Sequence, residues 1–425
     1  MLIEFSVANY RSFKEKVTFS MVAANRVAQD KEVDENNVFA INNDLKLVKS
    51  AAIYGANASG KTNLAKAMEF MRWFMINSSK ETQSTEKIGV ERFQLSSETE
   101  NKPSFFEIIF LLNGQQYRYG FEANTDKVVS EWLFYVPKSR ETKLFERDEN
   151  GISASKKYQA EGIQQRTRHN ALFLSVCAQF NVEIAEKILD WLFQNIGIIS
   201  GLYDNLYKEY TVNCLINNTN KDEIITLIKN LDLGIDNINA KMIKVNADEL
   251  PEKLPYKIKK ILIEDEMISV QTMHRKFDNK GNYISIELFD LDDQESEGTQ
   301  KIFALAGLLV HTLKYGKVLI VDEFEARLHS LISHAIVELF NSRETNPNNA
   351  QLIFMTHDTN LLSNKLFRRD QIWFTEKDRF GSTDLYSLAE YKVRNDASFE
   401  SDYIKGRYGA IPYIGNLSQI IESNE

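Results

Sequence analysis

The stretch Gly55-Ala56-Asn57-Ala58-Ser59-Gly60-Lys61-Thr62 constrains this chain more than any other. It spells GxxxxGK[ST] between an apolar run, VKSAAIY over 48–54, and a segment from Thr62 to Ile76 that sets Leu64, Ala67, Met68, Met71 and Phe74 on one helical face. A strand running through a glycine loop into a helix is a cradle for phosphate: glycines let backbone amides turn inward, and the helix start adds partial positive charge. Lys61 is then expected at the β and γ phosphates and the Thr62 hydroxyl on Mg²⁺. A strand-to-helix turn that matches by chance is the competing explanation, and the flanking elements argue against it.

Three further patterns follow late in the chain. Val318-Leu319-Ile320-Val321-Asp322-Glu323 is an apolar strand ending in two carboxylates. Asp322 is expected to hold the Mg²⁺ shell and Glu323 to act as general base on the attacking water. Glu295-Ser296-Glu297-Gly298-Thr299-Gln300 precedes an amphipathic helix beginning near Gln300. Its Ser-x-Gly turn reads as a second anion site on a helix start, or as a plain capping box. Leu352-Ile353-Phe354-Met355-Thr356-His357 is a strand ending in a histidine that can hydrogen-bond a γ phosphate; a lone His after a strand is otherwise a surface loop residue.

The rest of the chain supplies context. Residues 2–21 read as strand, turn, strand, and FFEIIFLLN and GQQYRYGFE form a hairpin about Asn113-Gly114. Residues 160–265 are richer in helical periodicity, with no heptad run that would make a long coiled coil. Cys177 and Cys214 read as buried thiols, too few and too far apart for a disulfide framework or metal knuckle. The 51 Lys and Arg against 60 Asp and Glu give a formal charge of -9, which speaks against a dedicated nucleic-acid clamp. Arg166 with Arg168, or Lys257 with Lys259 and Lys260, could form a local basic patch, although solvated faces explain both clusters. No export signal or membrane span is expected, since Glu4 and Arg11 interrupt the start and His311, Lys314 and Lys317 interrupt the most apolar stretch.

Taken in chain order, phosphate loop, Ser-x-Gly helix start, acidic strand end and strand-end His resemble the ABC-class ATPase head. Within that class the details resemble the RecF/SMC branch: VANYRSF resembles its amino-terminal Asn-Phe/Tyr-Arg turn, and Asn57 and Asn63 match its form of the phosphate loop. More narrowly, ESEGTQK, VLIVDEFEARLHS, FMTHD, RRDQIWFTEKD and YIKGRYGAIP resemble the RloA-like, stand-alone AAA-type ATP/GTP phosphatases of bacterial abortive-infection and restriction-associated loci.

The resemblance implies an α/β fold: a P-loop ABC-type head with an antiparallel β subdomain and an inserted helical lobe. One half of the head would span 1–160, the lobe 161–265, and the other half 266–425. Arg11, Gly55, Asn57, Ala58, Ser59, Gly60, Lys61, Thr62 and Asn63 would lie at the nucleotide, Asp322 and Glu323 at Mg²⁺ and water, and His357 at the γ phosphate. Ser296 and Gly298 would act on a partner subunit's ATP, with Glu325 to His329 in the adjoining loop. Glu297 and Thr299 depart from the usual Ser-Gly-Gly-Gln signature, and Gln94 is the candidate for the glutamine that senses Mg²⁺. No second active site is legible in the last 60 residues. The implied function is a cytoplasmic, Mg²⁺-dependent ATPase switch of anti-phage defence, working as a homodimer or higher homo-oligomer around ATP, with a separately encoded nuclease or toxin and possible DNA or RNA. A RecF-like DNA-repair ATPase and a transporter subunit are the rival readings.

Overall fold

The computed structural model describes residues 1–25, 30–81, 83–138, 140–202, 205–231, 233–244, 266–393 and 397–416. Two compact units emerge: Met1–Ser200 with Gly316–Phe324 and His334–Glu425, and Gly201–Tyr315 with Glu325–Ser333. The strands, in chain order, are β1 (Leu2–Ala8), β2 (Val17–Ser20), β3 (Val38–Ala40), β4 (Lys46–Val48), β5 (Ser50–Tyr54), β6 (Ser104–Leu112), β7 (Gln115–Ala123), β8 (Val128–Val136), β9 (Thr142–Asp148) and β10 (Gly151–Ala154). After these come β11 (Ile196–Ser200), β12 (Asn237–Lys244), β13 (Glu266–Phe277), β14 (Tyr283–Asp290), β15 (Val318–Asp322), β16 (Gln351–Met355), β17 (Ile372–Lys377) and β18 (Thr383–Ser387).

In the first unit, β11-β15-β16-β5-β17-β18 form a six-stranded sheet. Its pairings are parallel except at the β18 edge. The three central strands SAAIY, VLIVD and QLIFM are buried along their whole length, as expected of parallel strands covered on both faces. The second large sheet is seven-stranded and antiparallel, ordered β10-β9-β8-β7-β6-β1-β2. The alternating residues of β6 bury one face, and its hairpin with β7 turns on Asn113 and Gly114, both left-handed at φ 51° and 75°.

Helix Lys61–Asn77 shares one apolar core with both sheets. Phe74 meets Phe121 of β7 edge-on, and Leu64, Met68 and Met71 belong to the same cluster as Ile53, Ile320 and Ile353. The helix therefore carries the phosphate loop on an element buried along its apolar stripe.

The second unit joins helices Asn205–Ile216, Lys221–Asn230 and Glu297–Tyr315 to the antiparallel sheet β12-β13-β14. Its core is built from Val212, Leu215, Ile224, Ile228, Ile302, Phe303 and Val310. These boundaries differ from the expected lobe. Helices Phe173–Gln179 and Glu183–Asn195 bury Phe173, Leu174, Ile188 and Trp191 in the core of the first unit, whereas the helix that opens at the Ser-x-Gly turn packs in the second. Helical period reveals an apolar stripe but not the surface it meets. Lys257, Lys259 and Lys260 lie outside the described residues. Among the described residues, no helix is long and apolar enough to cross a membrane.

Candidate functional site

The loop between β5 and helix Lys61–Asn77 is held from behind by side chains that its own sequence does not reveal. Ser59 Oγ shares a 2.6 Å hydrogen bond with Thr375 Oγ1, and Thr383 Oγ1 donates to the Ser59 carbonyl at 2.7 Å. Asn63 Nδ2 donates to Ser12 Oγ at 2.8 Å, and the Thr383 amide donates to the Ser12 carbonyl. These buried and half-buried bonds fix the loop's shape before any ligand arrives.

Two glycines are required by crowding. A Cβ on Gly55 would lie 2.5 Å from the Thr375 carbonyl, and one on Gly60, left-handed at φ 119°, would lie 2.5 Å from Thr383 Oγ1. Ala58 is also left-handed, at φ 61°. The Lys61 ammonium, buried with its side chain, donates to the carbonyls of Gly55 at 2.7 Å and Ala56 at 3.1 Å, which stations it across the loop.

Sheet order brings the acidic strand end to this loop. β16 lies beside β5 and β15 lies beyond it, so His357 follows the adjacent strand and Asp322 and Glu323 end the next. Asn57 to Asn63, Asp322, Glu323, Met355, His357 and Lys377 line one cavity of about 460 Å³, within the range of small-molecule sites. Glu323 is left-handed at φ 53°, a conformation that costs a non-glycine residue about 1–2 kcal/mol. The next residue holds it there. The Phe324 amide donates to the Met355 carbonyl at 3.1 Å, and its buried ring packs against Phe354.

Asp322 is buried, and burial pushes its carboxyl above the usual range, against the opposing pull of the Thr62 hydroxyl and the Lys61 ammonium. Its Oδ1 has no hydrogen-bond partner among the described residues. A buried carboxylate oxygen left open beside a threonine hydroxyl fits a hard divalent cation. Mg²⁺ is such a cation: it takes one or two carboxylates and fills its shell with phosphate and water.

Ser296 and Gly298 belong to the second unit. Ser296 Oγ accepts the Thr299 amide at 3.2 Å and sits 2.9 Å from Thr299 Oγ1, so it caps helix Glu297–Tyr315 while itself remaining exposed. A Cβ on Gly298 would come within 3.0 Å of the Arg327 carbonyl, so the helix start packs closely on the 325–329 loop. Glu295, one residue earlier, accepts hydrogen bonds from Thr272 and from His274 Nε2, the latter at 2.7 Å.

Arg11 and Gln94 are not among the residues lining the cavity. Arg11 pairs with Glu91 Oε1 at 2.6 Å and lies over the Tyr10 ring, and Gln94 is exposed. Sequence reasoning did not find Ser12, Thr375, Thr383 or Lys377. The available signal was the run FTEKD, whose alternate residues Thr375 and Lys377 share one strand face. Cys177 and Cys214 are buried, and burial pushes both thiols up, away from reactivity.

A family model described as "AAA domain, putative AbiEii toxin, Type IV TA system" matches residues 50–176 and 179–363. Among solved structures, the chain resembles the SMC head domain from Thermotoga maritima at 12% identity and TM-score 0.41, covering 91% of this chain and 98% of that one. An Smc head bound to the C-winged helix domain of ScpA matches at 13% identity and TM-score 0.44, covering 91% and 97%. The recombination mediator RecF-ATPrS matches at 14% identity and TM-score 0.35, covering 91% and 98%. No curated protein matches the chain.

Proposed function

The chain belongs to the AAA-domain family whose model matches residues 50–176 and 179–363, and from that premise we propose that it is a Mg²⁺-dependent ATPase that dimerises around ATP and governs a separately encoded effector in anti-phage defence. The observation that carries this reading is the cavity itself. A braced phosphate loop, a buried carboxylate with an open oxygen, a second carboxylate on a strained turn and a histidine all line one space.

In that reading the loop amides and Lys61 bind the triphosphate, which requires the ammonium to trade its loop carbonyls for phosphate oxygens. Glu323 takes the proton of the attacking water, and the locked Phe324 turn keeps its carboxylate aimed at the cavity. His357 reads the γ phosphate. Thr62 and Asp322 would hold Mg²⁺, which when bound neutralises charge on the phosphates. Ser296, at an exposed helix start, would reach a partner subunit's ATP.

The family description names a toxin–antitoxin system, which supports a defence role over DNA repair. The two arginines of the candidate basic patch are engaged with the protein: Arg166 lies over Phe180, and Arg168 donates to the Ser78 carbonyl.

Glu323→Gln tests the proposal. With ATP present the variant should run as a dimer in size-exclusion chromatography with light scattering, and hydrolysis should fall about 10²–10⁴-fold. A monomer with wild-type turnover would defeat both the catalytic assignment and the ATP sandwich. An effector co-purifying with the trapped dimer from infected cells would support the defence role; recovery of repair proteins instead would overturn it.

A further inference from the structure

The run RRDQIWFTEKD stands out in the sequence, yet the proposed reaction uses none of it. The structure shows what most of it does. Arg368 pairs with Asp370, Gln371 bonds Asn37 and Ser50, and Thr375 braces Ser59, all buried. Lys377 has no such duty. It is exposed, it lines the phosphate-loop cavity, and no carboxylate pairs with it among the described residues.

We propose that Lys377 is a second cation for the nucleotide, acting on the phosphate flank opposite the γ-phosphate machinery. The placement follows from topology. β17 pairs in parallel with β5, Phe374 opposite Tyr54, and runs on past the end of β5 alongside the phosphate loop. Lys377 stands opposite Thr383, whose side chain holds the Ser59 carbonyl, so the backbone that carries the ammonium is tied to the loop. Its neighbours are spent elsewhere: Glu376 accepts the Tyr386 hydroxyl, and Asp378 accepts the amides of Phe380 and Ser382 in its own turn.

Sheet order then separates Lys377 from the residues expected at the γ phosphate. β16 and β15, with His357, Asp322 and Glu323, lie on one side of β5; β17, with Lys377, lies on the other. A triphosphate whose γ group meets the carboxylates and histidine turns its remaining phosphates toward Lys377. The ammonium should therefore not distinguish a diphosphate from a triphosphate. This inference rests on the nucleotide reading above.

The test is calorimetric titration with Mg²⁺-ADP and with Mg²⁺-AMPPNP, alongside thermal melting to confirm folding. Lys377→Ala should weaken both ligands equally, by about tenfold, which corresponds to about 1.4 kcal/mol. Lys377→Arg should recover most of that loss, and Lys365→Ala, an exposed lysine outside the cavity lining, should bind as wild type. The wild-type salt dependence should also be steeper than that of Lys377→Ala. Unchanged affinity in Lys377→Ala overturns the assignment, and loss confined to AMPPNP overturns the flank. A wild-type chain that binds neither ligand defeats the nucleotide reading itself, a result distinguishable from both.

Discussion

At the scale of single residues, the buried groups divide into those that the site uses and those that the fold tolerates. Asp322 keeps an open oxygen in the cavity, and Glu323 holds a left-handed backbone because Phe324 is locked behind it. Lys49 has no place in the site. It is almost wholly buried between β4 and β5, where its ammonium donates to the carbonyls of Asn341 and Ser342. Burial, aided by the charge of Arg343, pushes it down to about 8. An unfolded lysine holds its proton to about 10.4, so from about pH 8 to that value the folded chain has released a proton that the unfolded chain retains, and stability rises with pH across the window. Below about 8 the burial penalty is present in full. Lys49→Met should stabilise the chain by about 1–3 kcal/mol at neutral pH and abolish the rise, as read by denaturant unfolding from pH 7 to 10.5. A variant with the same pH slope as wild type would show that Lys49 is charged in the fold.

At the scale of elements, the parts legible in the sequence were those whose signal is local. Asn113-Gly114 announces the β6–β7 hairpin, and the unbroken apolar runs of β5, β15 and β16 announce buried parallel strands. β11 is not legible because its residues, IGIIS, follow directly on helix Glu183–Asn195 and become a strand by pairing with β15. Glu131 of β8 was equally illegible. Fully buried, it accepts the amides of Phe173 and Leu174 at 2.6 and 3.0 Å and the Tyr119 hydroxyl at 2.9 Å, with Arg147 at 3.9 Å. It thereby caps helix Phe173–Gln179, which has no capping side chain of its own. Glu131→Ala strands three buried donors, the Phe173 and Leu174 amides and the Tyr119 hydroxyl, and should cost about 3–5 kcal/mol in denaturant unfolding. A cost below about 1 kcal/mol would mean that water replaces the carboxylate.

At the scale of the whole molecule, the proposed ATP sandwich predicts that two dead chains can mend one another. Lys61→Ala removes the phosphate contact, and Ser296→Arg blocks the exposed helix start that would face a partner's ATP. Each alone should be inactive. Mixed, they should regain hydrolysis, because one of the two composite sites then pairs an intact loop with an intact signature. Continued inactivity of the mixture, with both chains folded, would put Ser296 outside the reaction. By itself the sequence determined the phosphate loop, the acidic strand end, the strand-end histidine and the α/β class, because each is written in a short run whose spacing carries its chemistry. Only the tertiary structure decided which strands flank β5, and hence that Thr375 and Thr383 brace the loop and that Lys377 lines its cavity. It also decided that helices Phe173–Gln179 and Glu183–Asn195 belong to the first unit. The physical reason is common to both: strand neighbours and buried helix faces are chosen by contacts between residues tens to hundreds of positions apart, where no local pattern records the partner.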